Sequence, residues 1–281
     1  MSNTLMLGAV AYDPKVVTIW EGFRTWFAER GLDFDFILYS NYEAQVAGHF
    51  AGQYDVAWNS PLAWIQAERV ANERGQAAQA IAMRDTDQDL TSVIVVRADS
   101  AIQTIDDLRG KTVGVGAGDS PQATLIPLNH LADKGLVPDT DFNVRQFDVL
   151  VGKHGDHIGG ERDAARALMA GEIDAACMID GNHLLFSQEG TLPGGQTRIL
   201  DRTAPYDHCC FTILDDAPEA LISQFVELLM GMSFDDPEVR PLLELEGLKA
   251  WRTGRVSGFA QLNEACDRFG YLDGFLAEMR N

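Results

Sequence analysis

Three short stretches of this 281-residue chain bring together side chains that can do chemistry. Gly152-Lys153-His154-Gly155-Asp156-His157 sets two imidazoles, a carboxylate and an ammonium in a glycine-rich loop. Histidine titrates near neutral pH, so His154 and His157 could pass protons or recognise an anion. Asp207-His208-Cys209-Cys210 offers imidazole and thiol donors of the kind that hold zinc, copper or iron. Gly116-Ala117-Gly118-Asp119-Ser120 leads into a helix from Gln122, and the free N–H groups and dipole of a helix start favour a bound anion. Arg162, at the start of a later helix, could grip a carboxylate or oxyanion with both arms of its guanidinium.

Each stretch also has a plainer reading: a polar surface loop, a buried cysteine pair, a capped helix start and a solvated arginine. If the chain is an enzyme, His154, His157 and His208 are the candidates for general acid or base. A composite metal site drawing on the same three histidines is the alternative to having no cofactor. Residues 209–214 read as a strand, where neighbours point to opposite faces, so adjacent donors of this stretch are not expected to share one ion from regular strand geometry. Cys210 is then core and His208 lines the ligand cleft. Gly114-Val115-Gly116-Ala117-Gly118 lacks the Lys-Ser/Thr of a nucleotide loop, and no serine sits in a Gly-x-Ser-x-Gly frame.

Elements must position these groups, and the apolar pattern supplies them. Residues 5–10, 34–39 and 54–58 read as strands, alternating with helices over 16–30, 42–50 and 62–73. Gly31 stops the first helix, as a glycine past a helix end does. Residues 92–97 form a continuous β-branched run, fit for a buried strand. A second series follows, with strands at 112–115, 142–147 and 173–178 and helices at 122–134 and 161–170. Further strands are expected at 198–201 and 209–214, and a mostly helical tail from 217. Such β-α-β order implies right-handed crossovers and parallel pairing, with function in the turns after the strand ends.

Composition narrows the partners. Asp and Glu number 42 against 22 Lys and Arg, a formal net charge of −20. That field opposes nucleic acid and anionic membrane, and no apolar run reaches the length of a membrane span. The four cysteines, Cys177, Cys209, Cys210 and Cys266, form no Cys-x-x-Cys pair and imply no disulfide. No basic, apolar leader precedes residues 5–10, which points to the cytoplasm. If a leader has been removed, the chain is periplasmic or lipoprotein-anchored.

Beyond these local readings, the chain resembles a known family along most of its length. The carrying segments include Ala51-Gly52-Gln53-Tyr54-Asp55-Val56-Ala57-Trp58 with Pro61-Leu62-Ala63, and Ile105-Asp106-Asp107-Leu108-Arg109-Gly110-Lys111. Asp163-Ala164-Ala165 and Gly171-Glu172-Ile173-Asp174-Ala175-Ala176 continue it. They are similar to the phosphate/phosphite/phosphonate substrate-binding proteins of ABC transporters, with the type II periplasmic-binding fold. The resemblance implies an α/β chain of two lobes, each a mostly parallel sheet flanked by helices, with a ligand cleft between them. Lobe one is expected over 1–90 plus 203–281 and lobe two over 91–202.

The implied function is a receptor or sensor that closes on a small anion, phosphonate- or phosphate-like or a related carboxylate, and serves an ABC permease. In the family, a Ser-Thr-Ser-Gly turn holds the oxyanion. Here Ser120 is kept, Pro121 removes an N–H, and Gln122 and Ala123 follow. The family's His-Asp-Ala-Ala helix start becomes Arg162-Asp163-Ala164-Ala165. The resemblance also points to Asp180 after a strand, and to Tyr12 and Trp58-Asn59-Ser60 in lobe one. His157 and His208 join this ligand set as residues of polar segments at strand ends. The alternative is a cytoplasmic enzyme on the same fold, of decarboxylase, dehydratase or lyase type, using cleft histidines and a metal.

Overall fold

Apolar runs and helical stripes resolve, in a computed structural model, into two α/β units. The structure describes residues 4–148 and 157–280, with the side chains of His157 and Ile158 outside the description. Unit 1 comprises Met1–Gln88, Asp207–Ala260 and Leu272–Asn281; unit 2 comprises Asp89–Tyr206 and Gln261–Tyr271. The tail is thus shared between units, where the sequence assigned it whole to the first lobe. The reason is packing: Phe269 joins the core of unit 2, and Gln261 donates to the carbonyls of Ala204 and Pro205.

Unit 1 opens with β1 (Leu5–Val10), α1 (Lys15–Ala28), β2 (Phe34–Tyr39), α2 (Tyr42–Phe50), β3 (Val56–Asn59), α3 (Pro61–Arg74) and β4 (Ala78–Arg84). Val16, Ile19, Trp20, Phe23, Trp26 and Phe27 recur at helical spacing and form the buried stripe of α1. Ser60 caps α3, its Oγ accepting from the N–H of Ala63, with Pro61 in the first turn. Unit 2 follows with β5 (Ser92–Arg97), β6 (Thr112–Val115), α4 (Ile126–Asp133), β7 (Asn143–Gln146), α5 (His157–Ala170), β8 (Ala175–Ile179), α6 (Asp180–Glu189) and β9 (Thr197–Arg202). The chain then adds β10 (Cys210–Leu214), α7 (Glu219–Gly231), α8 (Arg240–Glu246) and β11 (Trp251–Thr253) to unit 1. Of the last helices, α9 (Ala260–Phe269) lies with unit 2 from Gln261 on, and α10 (Asp273–Met279) with unit 1.

The sheet of unit 1 has the order β11-β4-β10-β3-β1-β2. Strands β1, β2 and β3 pair in parallel, and β10 enters antiparallel between β3 and β4. Unit 2 has the order β7-β6-β8-β5-β9, parallel among β6, β7 and β8, with β5 running against both its neighbours. The returning strands β5 and β10 are thus the antiparallel members of otherwise one-directional central sets. Strand β10 starts at Cys210, so His208 and Cys209 precede it and escape strand alternation. Two strands, β4 and β11, were not expected from the sequence. Ala-rich β4 lacks a β-branched run, and β11 has only three residues.

The core of unit 1 is aromatic. Phe211 of β10 lies 4.7 Å from Trp58, 5.1 Å from Phe225 and 5.2 Å from Trp251, ring centre to ring centre. Unit 2 buries aliphatic side chains on both faces of β5: Ile94 and Val96 on one, Val93 and Val95 on the other.

Candidate functional site

The turn after β6 is built by two prolines. One π-type turn, Pro121–Leu125, precedes α4, a geometry that is rare and often found at functional sites. Pro121 has no N–H to offer. The N–H of Ala123 is taken by Ser120 Oγ at 3.1 Å, and those of Thr124 and Leu125 by the Ser120 carbonyl at 3.2 and 3.1 Å. Among the described residues, the N–H of Gln122 is left without an acceptor. Pro127 leaves a second gap, because it cannot donate back to the Gln122 carbonyl, the acceptor that the π pattern assigns it. Ser92 of β5 fills that gap with Oγ at 2.5 Å from the Gln122 carbonyl. A serine hydroxyl has one proton, so Ser92 must accept from the Tyr206 phenol, 2.7 Å away. Burial pushes the Tyr206 phenol up, so it stays a donor.

Gly116 makes this close packing feasible. A Cβ there would stand 2.8 Å from the Cβ of Ala123, while the Gly116 N–H donates to the Ala123 carbonyl at 3.2 Å. Gln122 is buried, and its side-chain oxygen has no partner among the described residues. Among the described residues, the helix start therefore presents the Gln122 N–H and the Ser120 hydroxyl proton as donors, with the Gln122 amide oxygen as an acceptor and buried carboxylate charge close by. Glu161 lies fully buried, its Oε2 accepting from the N–H of Ile179 and from Asn182 Nδ2. Both Glu161 and Asp180 stand close enough to Tyr206 to contribute to its raised pKa.

The other unit 2 candidates are already engaged. The Asp180 carboxylate does not cap α6; it accepts from Thr91 and from Arg202, both at 2.7 Å. Arg162 clamps Glu189 of α6 at 2.8 and 3.4 Å, with its guanidinium over the ring of Phe186. His157 opens α5, and His154 with the rest of its loop, 149–156, lies outside the described residues. A concavity of about 470 Å³ flanks the turn after β6, lined among others by Asp119, Thr124, Gln146, Asp148 and Tyr271. Two carboxylates and no cation among these lining residues make it a poor seat for an anion.

In unit 1 the candidates divide. Trp58 is core, packed on Phe211 and Trp251. Asn59 is buried and receives a hydrogen bond from Gln45 at 2.8 Å, and Ser60 serves as the cap of α3. Tyr12 is largely exposed, yet burial of its hydroxyl end and the charge of Glu246 push its pKa up to about 12.

Around Tyr12 stands a polar cluster that the sequence did not single out. Arg84, at the end of β4, donates from Nε and Nη2 to both oxygens of Asp87 at 2.5 and 2.9 Å. Its Nη1 reaches the carbonyl and the carboxylate of Glu246 at 2.8 and 3.1 Å, and its guanidinium lies over Trp58. Burial disfavours the charge on Asp87, but Arg84 and a hydrogen bond from His208 outweigh it and hold the pKa at about 2. Glu246 goes the other way: burial raises it to about 7 against the pull of Arg84. Strand alternation does not part the adjacent donors His208 and Cys209 in this cluster. His208 Nδ1 is 3.1 Å from Cys209 Sγ, because both residues lie in the irregular stretch before β10.

Residues 9–259 match the family described as the periplasmic substrate-binding protein of the phosphonate ABC transporter. The chain belongs to this family. Solved structures agree on the fold. The PhnD1 protein of Prochlorococcus marinus, in complex with methylphosphonate, aligns at TM-score 0.67 and 16% identity, over 95% of this chain and 98% of that one. A Xanthomonas citri protein bound to ATP gives 0.69 and 17%, over 95% and 98%. The aliphatic sulphonate binding protein of Escherichia coli gives 0.58 and 16%, over 96% and 88%. Among curated proteins, the tetrathionate sensor histidine kinase of Salmonella typhimurium is 34% identical over 87 residues, 31% of this chain. The match spans 13% of that relative's length. The family is periplasmic, and no helix among the described residues is long and apolar enough to cross a membrane.

Proposed function

We propose that the chain is a receptor for a small oxyanion, anchored in unit 2 by the turn at 120–124, with a singly charged head group preferred. Sulfonate- or carboxylate-like ligands fit this better than a phosphonate dianion. The observation that carries the reading is the state of the helix start: among the described residues one backbone N–H of 121–125 remains, that of Gln122, where Pro121, Ser120 Oγ and the Ser120 carbonyl account for the others. A dianion taken out of water needs several charge-assisted donors to offset its desolvation. The buried carboxylate of Glu161 and the nearby Asp180 raise that cost further. Gln122 Oε1, an acceptor without a partner among the described residues, adds lone-pair density that disfavours a second negative charge.

Relatives support the scaffold's reach. One is named for tetrathionate, an anion that ends in two singly charged sulfonate-like groups, and one for aliphatic sulphonate. Family membership favours binding over the enzymatic alternative, and delivery to an ABC permease in a periplasmic setting over a cytoplasmic role. Arg162 and Asp180 act in this account by holding α6 and β9 in place. Thermal denaturation of the chain with methanesulfonate, acetate, phosphate and methylphosphonate tests it. At least one small oxyanion raises the melting temperature; a melting temperature unmoved by all four would overturn the receptor reading.

A further inference from the structure

We propose that Asp87, His208 and Cys209 of unit 1 form a binding site for a divalent metal ion of the Zn²⁺ class. Their donor atoms lie within 4.8 Å of one another. His208 Nδ1 sits between the other two, 3.1 Å from Cys209 Sγ and 3.5 Å from Asp87 Oδ1. A tetrahedral ion with bonds of about 2.0–2.3 Å holds its ligands roughly 3.3–3.8 Å apart. The donors therefore stand near ligand spacing, with Nδ1 central to the set.

The backbone around the site is tied down. The His208 N–H donates to the Asp87 carbonyl at 2.8 Å, joining the two segments that carry the donors. The preceding residue, Asp207, is gripped by Arg255 through two hydrogen bonds of 2.6 Å, and its N–H reaches the Gly258 carbonyl. Arg84 orients the Asp87 carboxylate from behind, as outer partners orient ligating carboxylates. Each Asp87 oxygen keeps a further lone pair for a metal.

Charge and donor type point to the same class of ion. Asp87 brings a negative charge to the ligand set itself, while Arg84 and Lys15 both act on the neighbouring Glu246. A thiolate, an imidazole and one carboxylate suit Zn²⁺ and its neighbours and discriminate against Mg²⁺ and Ca²⁺, which prefer all-oxygen shells. His208 is partly exposed, leaving a path in and room for a fourth ligand. Burial and the charge of Asp87 raise the Cys209 thiol well above its ordinary pKa, so metal uptake must release its proton.

Cobalt reports thiolate ligation directly. Tag-free, chelator-treated chain titrated with Co²⁺ should take up one ion and show a thiolate-to-metal charge-transfer band in the near ultraviolet. One proton should appear in unbuffered solution per ion bound, and Zn²⁺ should bleach the band. Cys209→Ser and His208→Ala should each lose it while keeping the native far-ultraviolet circular dichroism, and Cys266→Ser should retain it. Absence of the band in the parent chain, or its survival in the folded Cys209→Ser or His208→Ala variant, would overturn the proposal.

Discussion

Pro121 and Pro127 decide which backbone groups at the head of α4 are left over, and two serines close most of the gaps. Ser92 satisfies the Gln122 carbonyl while accepting from Tyr206. Ser92→Ala strands both buried groups and should cost about 1–3 kcal/mol in denaturant unfolding. Pro121→Ala restores a donor at the helix start, so its affinity for dianionic methylphosphonate should rise relative to methanesulfonate, read by calorimetry. Glu246 offers a pH signature. Its folded pKa is raised from 4.5 to about 7, so its contribution is fully present below 4.5 and is lost as pH rises through about 7. Stability should fall across that window by at most about 1.4 kcal/mol per pH unit from this group. Glu246→Gln should flatten the slope; a slope identical to the parent's would contradict the assignment.

At the level of elements, the turn between β6 and α4 depends on close approach. Gly116→Ala places a methyl 2.8 Å from the Cβ of Ala123 and should destabilise by about 1–3 kcal/mol. Oxyanion binding should weaken with it, measured by the ligand-induced melting shift. This turn was legible in the sequence because glycines, a serine and a proline mark a strand-to-helix turn by local chemistry. The cluster at Arg84 was not. Asp87 and His208 are distant in the chain and meet because β10 inserts between β3 and β4, a pairing no local pattern announces. Strand β4 itself was missed, since the alternation in Ala-Gln-Ala-Ile-Ala-Met is too weakly apolar to separate strand from helix. Strand alternation was expected to part adjacent donors of 207–210, but β10 starts at Cys210, so His208 and Cys209 both lie before it. Arg162 was expected at a helix start, but α5 begins at His157 and carries Arg162 in its second turn; its partner Glu189 is on the next helix and could not be inferred from spacing.

Across the whole molecule, each unit carries its own core, aromatic in unit 1 and mostly aliphatic in unit 2. Phe211→Ala opens a cavity among Trp58, Phe225 and Trp251 and should cost about 3–5 kcal/mol, seen by denaturant unfolding. Family membership favours substrate binding as the role, and the helix start carries the proposal of what is bound. The decisive measurement is isothermal calorimetry of the intact chain with methanesulfonate and with methylphosphonate at a pH where the phosphonate is a dianion. With one unengaged backbone N–H, that of Gln122, among the described residues of the helix start, the sulfonate should bind tighter, by tenfold or about 1.4 kcal/mol. Tighter binding of the phosphonate dianion would contradict it.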